Sequence, residues 1–179
     1  MIKNILLLVF SFSLTVGFSQ NDTKNKSDEI INLEIKSKIP DLKSEVEAGV
    51  MNPFTKKLYS EFAIDTFKIG YYFREKTRKA PLNSQQRVEF IKAEASKYDS
   101  IMNKYYKLSK VGLTPTQKKA LINSQNTWEV FRKEELVWVV ARLGGDFFDC
   151  GYYLEYCNII KQRMMLMFTY YIDFKEHGY

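Results

Sequence analysis

Residues 84–110 read SQQRVEFIKAEASKYDSIMNKYYKLSK and carry the clearest structural pattern in the chain. Apolar and aromatic side chains recur there at steps of three or four residues, with Lys and Glu filling the positions between them. The members of this set are Val88, Ile91, Ala95, Tyr98, Met102, Tyr105 and Leu108. Such a period places one row of side chains on one face of an α-helix. The stretch therefore predicts an amphipathic helix that needs partner helices to cover its apolar face.

Three further helices are predicted on either side of it. Residues 54–79 precede it, residues 114–143 follow it, and residues 152–174 form the last helix. The last segment is apolar over much of its surface, so we expect it to be central or pressed against a partner. No stretch alternates between apolar and polar residues as a strand does. With short connections, this pattern predicts an all-α protein, an antiparallel helical bundle of about four helices.

The ends of the third predicted helix are marked by specific residues. Thr114 is placed to cap its N-terminus, Pro115 occupies the first helical position, and Gln117 completes a capping box. Gly144 and Gly145 are expected to end it.

The N-terminal region is predicted to be a targeting signal followed by a polar lead-in segment. Residues 1–20 contain an early Lys, an apolar run and no acidic residue, which is typical of a secretory signal peptide. Residues 21–39 are polar and free of aromatics, and are predicted to be a lead-in to a single helical domain over residues 40–179. The mature chain is then periplasmic or secreted, with no membrane span left after cleavage.

Composition excludes several classes of function. The 179-residue chain has one His and two Cys, too few for a His/Cys metal site, and His177 lies near the C-terminus, so a catalytic base is scarcely available. We expect no metal, no cofactor and no enzymatic activity. The net charge of +6 becomes +5 after cleavage, and it comes from residues 21–114, where basic residues are interspersed with acidic ones. That pattern indicates a solvated face, and no nucleic-acid partner is expected.

The two cysteines, Cys150 and Cys157, leave two possibilities open. Seven residues within one helix separate two positions by about 10 Å of rise, whereas a disulfide needs Cα atoms within about 7 Å. Either both thiols are free, or Cys150 lies in a loop that folds back on the last helix. The oxidising compartment and the even number of cysteines favour the disulfide.

A longer pattern is centred on Gln125-x-x-Trp128-x-x-Phe131-Arg132. In chain order its other members are Asp99, Met102, Asn103, Tyr106, Leu113, Thr114, Pro115, Leu121, Gly144, Gly145, Cys157, Gln162 and Arg163. Over residues 99–167 this pattern resembles the LprI-like domain, a family named after a lysozyme-inhibiting lipoprotein. The LprI-like region that includes the motif residues is predicted to extend over residues 84–174. The chain departs from the family in having Leu136 where a cysteine is typical, Ile160 where a threonine is frequent, and no cysteine for lipidation in its signal peptide.

The resemblance implies a helical protein-binding module that blocks the cleft of a lysozyme-type muramidase, with Arg or Lys at a loop tip meeting the enzyme's acidic residues. Under this hypothesis Gln125, Trp128, Phe131, Arg132 and Arg163 form a binding stripe. The alternative is that the stripe belongs to the core, with Arg132 paired to a carboxylate such as Asp99 on the preceding helix. A chain at +5 is also repelled at long range by basic animal lysozymes, which predicts slow association at low salt or a more acidic target.

A different class of function remains open as well. The apolar last helix, with its run Met164–Phe168, could pair with a second copy or with another envelope protein. In that case the chain is an envelope structural or interaction protein without inhibitory activity, and a homo-oligomer is expected.

Overall fold

The computed structural model describes residues 24–79, 82–143 and 148–177, and all of its regular elements are helices. There are five of them: α1 (Lys24–Gly49), α2 (Pro53–Lys79), α3 (Ser84–Ser109), α4 (Pro115–Leu143) and α5 (Phe148–His177). No strand occurs within these ranges, and the all-α prediction is confirmed. The predicted signal peptide, residues 1–20, and the predicted helix stop at Gly144 and Gly145 lie outside the described residues.

The helix count is five rather than about four because the predicted lead-in is helical from Lys24 onward. Ile31 and Ile35, one helical turn apart, are buried. Glu34 adds a polar tie to α2, since its carboxylate lies 3.1 Å from the Lys79 ammonium and accepts a hydrogen bond of 3.2 Å from the Tyr71 hydroxyl. Two buried isoleucines and a few ion pairs are too sparse a pattern to stand out in a sequence without aromatics. The helix also continues through Pro40.

The described residues fall into two compact units that divide between Asn83 and Ser84. The first unit contains α1 and α2, which form a helical hairpin. Its small core brings Val46 of α1, and Val50 just after that helix, against Ala63 of α2. The turn between the two helices is held by Asn52, whose side-chain oxygen accepts a hydrogen bond of 3.0 Å from the Phe54 N–H.

The second unit contains α3, α4 and α5, and α5 lies at its centre. It contacts both of the other helices, which agrees with the prediction made from its apolar surface. Met164, Met167 and Phe168 are almost completely buried. The Phe168 ring meets the ring of Tyr105 on α3 edge to face, with centroids 5.0 Å apart.

The helix directions in this unit differ in part from an antiparallel arrangement. α4 and α5, consecutive along the chain, are antiparallel neighbours. α3 and α5 run parallel, as the pairs Glu94–Lys161 and Tyr105–Phe168 show by advancing in the same direction along both helices. The chain reverses direction between α3 and α4 and again between α4 and α5. After two reversals, α5 therefore points the same way as α3.

The connection between α3 and α4 follows the predicted turn chemistry. The Thr114 N–H donates to Gln117 Oε1 at 2.9 Å, and the Gln117 N–H donates to Thr114 Oγ1 at 3.3 Å, which confirms the capping box. Gly112 has φ of 86°, a conformation that favours glycine. A Cβ atom at Gly112 would lie only 2.8 Å from Cζ of Phe174 on α5, so the turn and the end of α5 approach closely.

The predicted disulfide is absent from the structure, and the correction has a simple geometric cause. Cys150 and Cys157 both belong to α5 and are both free thiols. Two helical turns separate their Cα atoms by about 10 Å, beyond the reach of a disulfide. Burial raises the pKa of the Cys157 thiol to about 11, which disfavours its reactive thiolate form.

Candidate functional site

The residues of the family-like stripe lie on α4 and α5, and most of them face the inside of the second unit. Gln125 and Arg163 are only 8% and 6% exposed, whereas Trp128 and Arg132 are partly buried. Phe131 differs from the others, because 53% of its surface is exposed. The stripe is therefore divided between the interior of the unit and its surface.

Arg163 holds α5 to α4 through two neutral acceptors. Its Nε donates to Oε1 of Gln125 at 3.1 Å, and its terminal nitrogen donates to Oγ of Ser124 at 3.2 Å. Its guanidinium lies 5.5 Å from the centre of the Trp128 ring. Burial lowers the pKa of Arg163, because removal from water disfavours the charged form. These contacts supply the partners that a buried guanidinium requires.

Arg132 also lies close to the Trp128 ring. Its guanidinium is 5.0 Å from the centre of the Trp128 ring and 5.6 Å from that of Tyr156 on α5. The ion pair of Arg132 is with Glu129 on its own helix. The suggested Arg132–Asp99 pair is thus replaced by a local one, since a residue three positions away on α4 reaches the guanidinium more directly.

Asp99 still belongs to this polar cluster through its electrostatic effects. Burial raises the pKa of Asp99, and the positive charge of Arg132 only partly opposes that rise. One carboxylate oxygen of Asp99 accepts a hydrogen bond of 2.9 Å from the Asn103 side-chain amide. Burial also raises the pKa of the Tyr156 hydroxyl. The cluster joins α3, α4 and α5 through partly buried polar groups.

The remaining residues of the pattern have positions that suit a structural role. Met102 is almost fully buried in the core, and Tyr106 has the Lys110 ammonium 4.1 Å from the centre of its ring. Thr114 caps α4, and Pro115 is its first residue.

A surface on α4 was missed by reading the sequence. Phe131 and Val140 on this helix are exposed. Val130, Val137 and Trp138 are each more than half exposed as well. The signal was present in the sequence, because α4 carries more large apolar residues than one buried face can hold. Val130 and Val137 are seven residues apart, as are Phe131 and Trp138, so these four lie together on a second face.

The described residues contain no group of three or more His, Cys, Asp and Glu side chains able to hold a metal ion. Among the helices for which coordinates are described, none combines the length and hydropathy needed to cross a membrane.

Part of the chain matches a known protein family. Residues 78–166 match the family model described as "Lysozyme inhibitor LprI". No curated protein and no solved structure matches the chain. The matched residues run from the end of α2 through α3 and α4 to Leu166 on α5, and they include the whole of the polar cluster around Trp128. Over residues 78–166 this chain is therefore similar to the LprI lysozyme inhibitor family.

Proposed function

We propose that this chain is an exported, non-catalytic protein-binding module that inhibits a lysozyme-type muramidase by covering its substrate cleft. The observation that carries the proposal is the match of residues 78–166 to a family of lysozyme inhibitors. Export is part of the proposal and rests on the character of residues 1–20.

The arrangement of the second unit is compatible with this function. An inhibitor of this kind needs no catalytic group, but it needs a surface that is already ordered before it binds. The hydrogen bonds of Arg163 to Gln125 and Ser124 fasten α4 to α5 from the inside. We infer that the polar cluster serves to hold α4 in place, which leaves the outward side of this helix as the surface for a partner.

Self-association through the last helix has weaker support than inhibition, because most of the apolar run is packed inside the second unit. The apolar run that suggested it contributes Met164, Met167 and Phe168 to the interior of the second unit. Packing of α5 against α3 and α4 accounts for most of the run, whereas Leu166 is 37% exposed.

The test is inhibition by the chain that begins at Asn21. It is titrated into cell-wall lysis assays with a basic animal-type lysozyme and with an acidic muramidase, and a chitin-hydrolysing enzyme serves as the specificity control. The proposal expects saturable inhibition of at least one muramidase at equimolar ratio and none of the control enzyme. Unchanged turnover of every muramidase at large molar excess would refute it.

A further inference from the structure

The outward face of α4 consists of four apolar side chains around one carboxylate. Val130, Phe131, Val137 and Trp138 are 59%, 53%, 63% and 59% exposed. Val130 and Val137 are seven residues apart, as are Phe131 and Trp138, so each pair is separated by about 10 Å along the helix. Glu134 is three or four residues from all four of them and is exposed. It therefore lies at the centre of this face.

Such a face has the layout of a helix that lies in a groove. Single exposed apolar residues are ordinary, but a contiguous set on one helix face is typical of a protein-binding surface. Burial of large apolar side chains favours association, and each of these four retains more than half of its surface to bury. The face is thus large enough to anchor a partner, provided the partner offers an apolar groove.

The charge at the centre limits what that partner can be. Glu134 and its neighbour Glu135 make no side-chain hydrogen bond or ion pair within the described part of the chain. The nearest cations on α4 do not pair with Glu134. Arg132 forms an ion pair with Glu129, and Lys133 projects about 100° away from Glu134 around the helix. A carboxylate that loses its water when the face is covered needs a cation from the partner.

We propose that the outward face of α4 docks into an apolar groove on a basic protein surface, where Glu134 pairs with a Lys or Arg of the partner. This inference rests on the proposed function, and the basic surface is that of the muramidase outside its acidic catalytic residues. The local carboxylates give a chain with a net charge of +5 a place to meet a basic enzyme. Lys118 and Lys119 at the start of α4 are about 20 Å away along the helix, beyond the distance at which exposed charges act strongly in physiological salt.

A second copy of this chain is a poorer occupant of the same face. In a two-fold pairing each surface meets its own image, so the group at the centre of the face lies beside its copy. Glu134 would then face Glu134 of the second chain, and two carboxylates would be desolvated together without a cation.

The experiment compares two variants of the α4 face with two matched control variants. Association and dissociation rates are measured by surface plasmon resonance, with the muramidase that the wild-type chain inhibits immobilised on the sensor. Trp138→Ala is paired with Leu33→Ala, because Leu33 on α1 is 64% exposed and lies outside the family region. Glu134→Gln is paired with Glu45→Gln, an exposed residue of α1 that gives the same change in net charge. All four positions are exposed, so thermal unfolding should remain close to that of the wild type.

The expected result is that Trp138→Ala and Glu134→Gln each weaken binding at least about 10-fold, mainly through faster dissociation, as loss of central contacts does. Leu33→Ala and Glu45→Gln should bind like the wild type. If the wild type inhibits and the face variants match their controls, the docking face is overturned while the proposed function stands. If only Trp138→Ala weakens binding, a basic groove is overturned.

Two further outcomes separate the remaining explanations. A wild-type chain that inhibits no muramidase overturns the proposed function and this inference together. Sedimentation that shows a dimer which Trp138→Ala converts to monomer assigns the face to a second copy and overturns the basic partner.

Discussion

The hydrogen bond between Arg163 and Gln125 should contribute measurably to the stability of the second unit. The bond is 3.1 Å long, joins α5 to α4, and lies between two side chains that are each less than a tenth exposed. A hydrogen bond to a charged group contributes about 1.5–3 kcal/mol. Gln125→Leu keeps a side chain of similar size but leaves Nε of a buried guanidinium without this acceptor. We expect it to lower the free energy of unfolding by about 2–3 kcal/mol.

The opposite substitution, Arg163→Met, should cost a similar amount for a different reason. It removes the bonds to Gln125 and Ser124 and leaves the buried Gln125 oxygen without a donor. Part of that loss is offset, because the charged form of Arg163 is itself disfavoured by burial, as its lowered pKa shows. When Gln125→Leu and Arg163→Met are combined, neither partner is left unsatisfied. The double variant should therefore be more stable than the sum of the single effects predicts, by about 1.5–3 kcal/mol.

Tryptophan fluorescence in urea measures this effect on the correct unit. The only two tryptophans of the chain, Trp128 and Trp138, are both on α4, so their emission follows the second unit alone. Gln85→Leu, at an exposed position in the first turn of α3, is the matched control and should leave unfolding unchanged. Strict additivity of the single effects in the double variant would show that the bond contributes nothing. The reasoning about the polar cluster would then be wrong.

Three further predictions test other features of the second unit. Under native conditions an alkylating reagent should modify Cys150 before Cys157, because Cys157 is buried and has a raised pKa. The mass of the untreated chain should correspond to two free thiols, and a mass lower by two hydrogen atoms would contradict this. Gly112→Ala should cost at least about 1–2 kcal/mol, because φ is 86° and the new Cβ would press on the Phe174 ring, and an unchanged thermal unfolding midpoint would argue against this strain. Because the folded state raises the pKa of Asp99, the native chain binds this proton more tightly than the unfolded chain, and stability should fall as the pH rises through 3.8 towards the raised value. Asp99→Asn should remove this loss. In urea unfolding, the stability of the variant relative to the wild type should therefore increase from pH 4 to pH 7, and a decrease would contradict the raised pKa of Asp99.

The helices of the second unit could be predicted because local rules and packing agree there. The row from Val88 to Leu108 is the buried face of α3 for most of its length, and Thr114 and Gln117 form the expected capping box. α1 could not be predicted in the same way. Its burial depends on a few aliphatic side chains and on ion pairs with α2. An ion pair between residues more than forty positions apart leaves no periodic signal in the sequence.

The stripe around Trp128 shows where sequence reasoning about the site ends. Residue type and spacing indicated that Gln125, Trp128 and Arg132 share one side of a helix, and they do. Whether that side faces a partner or another helix depends on what packs against it. The contacts with α5 place Gln125 and Arg163 inside the unit, and the same contacts turn Trp138 outward.

The sequence by itself determined the helical class, the positions of most helix ends and the resemblance to a family of inhibitors. These properties follow from interactions between near neighbours along the chain or from the order of residue types. The tertiary structure alone decided the division at Asn83, the free thiols on α5 and the side of α4 that remains exposed. Each of these depends on which surfaces are removed from water when distant segments meet. That choice is made by packing of the whole unit and not by any single stretch of residues.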